Sequence, residues 1–358
     1  MKIKFIPALI GLAFLSLTES VSAQDTTSVS KPKIEISGYI DAYYSYDFSE
    51  PETDVKLPFS YSYNRQNEFN INMALLRASI SYENVYAKLS VHTGTYVDEN
   101  YAAEDLKIFN EAYIGVYLDK SQKTALEAGI LPSYIGFESA TSHYNLTATR
   151  SISAEASPYF MTGVKLSHQF TDKFTGSFFV TNGWQRINKP KKDLAPAVGT
   201  QLVYKFNDNS TLNWSTFVGK EMYGDQFTMR YFSNLYLDNG WNDYWRTFIG
   251  FDYGLQDTGS YGGEAKTWWT PTLINQFTLS EKWQMAHRIE YFQDKDNVVF
   301  AIGAPFKAMG NSINFDFLPN SKVKIRTEGK WYRATESIFD LGTKKDNFSV
   351  TTTMSFEF

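Results

Sequence analysis

The sequence has 358 residues, no cysteine and a formal net charge of −5. That length suits two ordinary domains or one large β-barrel. The missing cysteines exclude disulfides, thiolate metal sites, a cysteine nucleophile and a lipid anchor on cysteine, and the mild acidity argues against nucleic acid as a partner. Aromatic residues make up 17% of the chain, although its mean hydropathy is −0.35. Tyr and Trp in such numbers suit a lipid–water interface, where a ring with a polar tip is at home.

Lys2 and Lys4 form a short basic start, Phe5 to Leu17 is apolar, and Val21-Ser22-Ala23 supplies small residues. This pattern predicts a secretory signal peptide over residues 1–23. The apolar run is too short for a membrane helix and contains Pro7 and Gly11. Removing 23 of the 358 residues leaves 335, and losing Lys2, Lys4 and Glu19 moves the net charge from −5 to −6. Residues 24–33 read as a flexible polar lead-in. No later stretch approaches 18 consecutive apolar residues, so any insertion into a membrane must be by strands.

From Ile34 to Phe358 the dominant signal is period-two alternation. Ile34, Ile36, Ile40 and Tyr44 oppose Glu35, Ser37, Asp41 and Ser45. Val323, Ile325, Thr327, Gly329 and Trp331 oppose Lys324, Arg326, Glu328 and Lys330. At the end Phe348, Val350, Thr352, Met354, Phe356 and Phe358 share one face. The pattern predicts sixteen strands, within a range of 14–18, starting near residues 34, 69, 84, 108, 122, 159, 173, 197, 210, 228, 245, 267, 282, 310, 322 and 347. A register slip is expected at Leu75-Leu76.

The connections alternate in length. Glu83-Asn84, Thr171-Asp172 and Ser280-Glu281 are tight, whereas 49–64, 96–107, 132–158, 183–196, 220–227, 256–266, 294–309 and 333–346 are long. A soluble sandwich has no reason to keep that parity. A single transmembrane antiparallel β-barrel over residues 34–358 does, with short periplasmic turns and long extracellular loops. Aromatic clusters at Tyr39–Tyr46, Trp241–Trp245, Trp268-Trp269 and Trp331-Tyr332 fall where strands meet loops, as girdles would.

The stretch from Gly38 to Ile187 resembles the OmpL-like β-barrel porin family of bacterial outer membranes. The resemblance rests on Gly38 to Tyr44, Asn67 to Asn72, Ala128 to Leu131, Ile135 to Ser139, Thr149-Arg150-Ser151, Ser157-Pro158-Tyr159 and Asn182 to Arg186. It implies an outer-membrane barrel that lets small hydrophilic solutes or ions diffuse passively, without cofactor and without enzymatic activity. It leaves the solute open. Partners expected for such a chain are outer-membrane lipid and, through the carboxy-terminal Phe358, the barrel-assembly machinery. Oligomeric state stays open.

Strand parity sends Lys88, Lys165, Lys205, Arg230, Arg246, Arg288, Lys324, Arg326 and Lys330 to the lumen. It sends Glu35, Asp41, Glu111, Glu127, Asp252, Glu290, Asp316 and Glu328 there too. Each has a bland reading, as a paired wall residue, and a functional one, as a group that meets the solute. The 132–158 connection is the longest, poor in charge and rich in Ser and Thr. A loop of that size is usually functional or disordered. We expect it to fold inward and narrow the pore, with Glu138 and Arg150 as opposite charges at the constriction.

Two rival readings remain at this point. One is a closed or plugged barrel that serves as a surface interaction or structural protein. The other is a barrel hydrolase, for which His92 near Ser90 is the nearest approach to a dyad. His143, in the long loop, has no second His beside it for a metal, and Asp294 to Asn297 lacks the Gly and distal Glu of a calcium loop.

Overall fold

The computed structural model describes residues 31–51, 55–57, 59–259 and 263–358. The predicted signal peptide and most of the lead-in lie outside the described residues. Among the described residues no helix is long and apolar enough to cross a membrane.

Sixteen strands follow one another in chain order: β1 (Lys33–Asp47), β2 (Phe69–Tyr82), β3 (Val85–Thr93), β4 (Phe109–Tyr117), β5 (Thr124–Pro132), β6 (Phe160–Gln169), β7 (Phe174–Thr181) and β8 (Ala197–Asn207). They continue with β9 (Ser210–Tyr223), β10 (Gln226–Asn242), β11 (Trp245–Gln256), β12 (Lys266–Ser280), β13 (Trp283–Asp294), β14 (Phe306–Asn320), β15 (Val323–Ala334) and β16 (Asp346–Glu357). Each pairs with its neighbours in antiparallel register, and β16 returns to β1, with Ile40 opposite Phe356 and Tyr46 opposite Val350. The barrel therefore has no free edge, which removes the row of unpaired peptide groups that lipid could not satisfy. Short turns gather at one rim and long loops at the other, except that β9 and β10 meet there through Gly224-Asp225 alone, so the long connection expected around 220–227 is a two-residue turn. Two short helices, α1 (Thr95–Asn100) and α2 (Ile152–Glu155), belong to the loops.

The predicted alternation is realised strand by strand. On β16 Phe348, Met354 and Phe356 are exposed outward while Ser349, Thr351, Thr353 and Ser355 are buried inward. Outward aromatics form two belts. Trp241, Trp245 and Phe277 stack near the turn rim, where Trp283 and Phe317 also meet at a tilt, while Phe48 and Phe348 meet near the loop rim. Apolar side chains left exposed over this whole wall are stable only against lipid.

Two expectations need correction. The register slip lies at Asn72, which β1 skips between the Asp41–Met73 and Ala42–Ile71 pairs, and not at Leu75-Leu76. Leu75 is simply inward and Leu76 outward. The aromatic clusters also divide between the two faces. Trp269 and Trp331 face out, but Tyr39, Tyr43, Trp268 and Tyr332 are buried inside. Tyr39, Trp268 and Tyr332 join Phe59, Phe179, Phe217, Phe232, Phe292, Phe306 and Phe339 in apolar clusters inside the barrel. The lumen is thus partly an ordinary hydrophobic core, built between wall and loops.

Candidate functional site

The connection between β5 and β6 folds into the barrel and follows its inner wall. Tyr134 stacks on Phe179, with ring centroids 3.8 Å apart, and donates to the carbonyl oxygen of Thr216. Phe137 stacks on Phe248 of β11 at 3.4 Å, and Gln276 of β12 reaches the Leu146 carbonyl. Ser142 meets the Tyr39 hydroxyl on β1. The return path crosses β14, β15, β13 and β12 before Phe160 opens β6.

This segment has almost no regular structure, so its peptide groups need partners. Charged wall residues supply them. Arg326 donates to the carbonyls of Ser142 (2.7 Å), Asn145 (3.0 Å) and Thr147 (3.1 Å) while paired with Asp316. Lys324 donates to the His143 carbonyl, and Lys330 to that of Arg150. Arg288 donates to the Thr149 carbonyl and to the hydroxyls of Thr147 and Thr149. Carboxylates take the N–H groups: Glu328 accepts from Thr149 (2.6 Å), Glu290 from Ile152 (2.6 Å) and Glu138 from Ser151 (2.8 Å).

Arg288 is the centre of this network. Its guanidinium lies 2.8 Å from Glu328, 3.4 Å from Glu290 and 3.6 Å from Glu138, and all four side chains are essentially without solvent contact. Burial pushes the Glu138 carboxyl above its ordinary range, against the opposing pull of Arg288 and the Ser151 hydrogen bonds. Burial likewise lowers the His143 imidazole, with Lys324 adding to the effect.

Each residue predicted to line a pore is on the inner face or in the loop, but they fall into different surroundings. Arg288, Arg326 and Glu328 are sealed beneath the loop. Glu138 and Arg150 do not face one another. Arg150 is buried between the rings of Tyr96 and Tyr159, pairs with Glu155 at 3.5 Å and reaches the Ser62 hydroxyl. Asp41 accepts from Tyr63 and Asn72, and Arg230 is held between Trp184 and Trp268 with Gln256 on its Nε. Arg246 pairs with Asp238 near the turn rim. Lys88 and Glu111 sit together on the wall that the loop leaves open.

That open wall runs from β2 to β6. A cavity of about 260 Å³ lies between Arg77, Asn110 and Glu111 on the wall and Gly136, Ser139 and Thr141 on the loop. A second, of about 130 Å³, shares Pro132 and Ser133 with it and continues past Tyr113, Glu127, Lys165 and Gln201. Arg77 is a member of this site that the sequence reading missed. Its inward direction follows from the bulge at Asn72, because one extra residue reverses the parity of everything after it.

His143 lies 3.5 Å from the Ser355 hydroxyl and 3.9 Å from the Glu357 carboxylate, whereas His92 and Ser90 are not paired with each other. His92 hydrogen-bonds the Lys107 carbonyl and packs edge-on against Tyr101, while Ser90 accepts from Arg77. His168 bonds Thr124, and His287 bonds Asn311 on the outer face. Asp294 caps a turn through the N–H groups of Val298 and Val299. Among the described residues no group of three His, Cys, Asp or Glu side chains is arranged to hold a metal.

Residues 33–358 match the family model described as "Putative beta-barrel porin-2, OmpL-like". The chain belongs to that family. Its membership, with the closed barrel, makes it an outer-membrane porin. Solved structures share the fold at low identity. The outer membrane channel DcaP of Acinetobacter baumannii superposes with a TM-score of 0.63 at 10% identity, covering 91% of this chain and 97% of that one. The anion-selective porin from Comamonas acidovorans gives 0.61 at 9%, covering 92% and 100%. OmpF of Salmonella typhi, in complex with daunomycin, gives 0.57 at 9%, covering 91% and 97%. Among curated proteins, none matches.

Proposed function

We propose that this porin passes small hydrophilic solutes passively along the wall from β2 to β6, with the 133–159 loop as the constriction. The observation that carries this is the one-sided docking of the loop. It is fastened to β7–β16 and β1, while Arg77, Lys88, Glu111, Glu127 and Lys165 keep contact with open space. Glu138 and Arg150 then act by holding the loop's shape and not as charges presented to the solute. No enzymatic step is needed.

In this reading residues 1–23 direct export, 24–33 lead into the barrel, the short turns face the periplasm and the long loops face outward. Outer-membrane lipid covers the apolar wall. Phe358, whose ring lies over Gly38 and whose backbone pairs with it in both directions at 3.0 Å, is the feature presented to the barrel-assembly machinery. Recording from purified protein in a planar bilayer tests the reading: discrete, ohmic conductance steps are expected. A silent barrel would refute it and favour the second reading, a plugged barrel acting as a surface interaction protein. The apolar packing of Leu57, Phe59, Val298, Ile338 and Phe339 over the loop end of the lumen favours that alternative.

A further inference from the structure

The charges on the open wall are layered. Glu111 and Glu127 lie close to the barrel wall, each with a side chain only 9% exposed. The cations that pair with them reach past them into open space: Arg77 is 25% exposed, Lys165 28% and Lys88 35%. Arg77 and Lys88 share Glu111, at 3.3 and 3.8 Å, while Lys165 and the Tyr86 hydroxyl share Glu127, at 2.6 and 3.0 Å. The register makes the row continuous. Arg77 is opposite Ser90, Ser90 opposite Glu111, Lys88 opposite Tyr113, and Glu127 opposite Lys165. Three cations therefore stand over two carboxylates across five adjacent strands.

The loop facing this row brings no exposed charge to answer it. Ser133, Ser139 and Thr141 present hydroxyls, and the Glu138 carboxylate is turned to Arg288 and Ser151 and is 1% exposed. On β13 and β15 the lumen cations are spent on the loop, since Arg288, Arg326, Lys324 and Lys330 all donate to it, while Arg230 and Arg246 are held by Gln256 and Asp238. We propose that Arg77, Lys88 and Lys165 form an anion track, so that the pore favours small anions, simple carboxylates among them, over cations of like size. Basic side chains lining a constriction select anions by stabilising them where water is scarce. This inference rests on the diffusive reading above and adds the class of solute.

The scale is modest. One uncompensated charge about 7 Å from the permeating ion, in a water-filled passage, changes its occupancy about threefold. Reversal potentials across a bilayer with a KCl gradient, repeated with potassium acetate, are the direct test. The wild type should favour chloride, and then acetate, over potassium by about ninefold, about a threefold gain for the anion times about a threefold loss for the cation. The combined variant Arg77→Gln/Lys88→Gln/Lys165→Gln leaves Glu111 and Glu127 uncovered and should reverse the preference towards potassium. Glu111→Gln should strengthen the anion preference. Heat-dependent gel mobility confirms that each variant is a folded barrel. A conducting wild type that favours potassium, or a folded triple variant with unchanged selectivity, would overturn the anion track and leave the porin reading intact. A silent wild type would overturn both.

Discussion

Replacing Arg288 by Met should release the middle of the 133–159 loop and widen the pore. The substitution keeps most of the side-chain volume but removes three hydrogen bonds to Thr147 and Thr149, and with them the counter-charge that holds Glu138, Glu290 and Glu328 within 3.6 Å of one point. Leaving buried carboxylates without their partner costs about 3–5 kcal/mol. That shifts the docked-to-released ratio by about 10²–10⁴-fold, since each 1.4 kcal/mol is about a factor of ten. Water entering to solvate the three carboxylates then competes with the loop for their oxygens, which also accept from Thr149, Ile152 and Ser151. Single-channel conductance should rise towards that of a deletion of residues 139–154. The absence of cysteine allows an independent readout. A Ser153→Cys reporter, buried in the wild type, should react with a thiol reagent far faster in the Arg288→Met background. Adding Glu328→Gln should recover part of the wild-type behaviour by removing one stranded charge. Unchanged conductance together with unchanged labelling would refute the claim that this network fastens the loop.

Three further outcomes follow from other contacts. Lys56, on the 49–68 loop, donates to Ser45 and Thr351, and burial lowers its pKa to about 7. The docked loop binds fewer protons than the free one between about pH 7 and the ordinary lysine value, so its docking should strengthen as pH rises through that window and be weakest below it. Hydrogen exchange of the Lys56 amide, bonded to the Asn64 carbonyl and corrected for intrinsic rate, reads this, and Lys56→Met should abolish the trend. Gly199→Val places a side chain where the Tyr134 hydroxyl lies; the loop's first anchor should detach and conductance should become noisy, while a quiet wild-type trace would count against that anchor. Phe358→Ala uncovers Gly38 and breaks the Phe356–Phe358 stack, so the folded band on a gel should be lost at a lower temperature than in the wild type.

Much of the barrel is legible in the sequence because lipid enforces alternation on one face of every strand. All sixteen strand starts fall within a few residues of those predicted, including β14, which begins at Phe306 where a start near 310 is read from alternation. What alternation cannot supply is the interior. It sends Arg288, Arg326 and Lys88 to the same face, yet two are sealed and one is open, because the difference depends on which half-wall the loop covers. Arg77 illustrates a different limit. A bulge is a property of a pair of strands, and β2 alone does not reveal that β1 skips Asn72. Glu138 and Arg150 are near each other in sequence, but Arg150 is drawn to Tyr96 and Tyr159, and Tyr96 comes from a distant loop.

The two half-walls carry charge for different physical reasons. An irregular loop buried inside a barrel has peptide groups that neither water nor lipid will satisfy, and each one left unpaired costs roughly 1–3 kcal/mol. On β13–β15 the carbonyls of Ser142, His143, Asn145, Thr147, Thr149 and Arg150 are met by Arg326, Lys324, Arg288 and Lys330, and nearby N–H groups by Glu328 and Glu290. Long charged side chains suit this work because they reach inward from a strand and bond several peptide groups at once. Their partners are mostly backbone atoms, joined at Thr147 and Thr149 by the hydroxyls that Arg288 also reaches. On β2–β6 no peptide backbone needs such service, and the same residue types are left facing the passage, where they meet whatever solute enters. A change of charge on β13–β15 should therefore alter pore size, and one on β2–β6 should alter which ions pass.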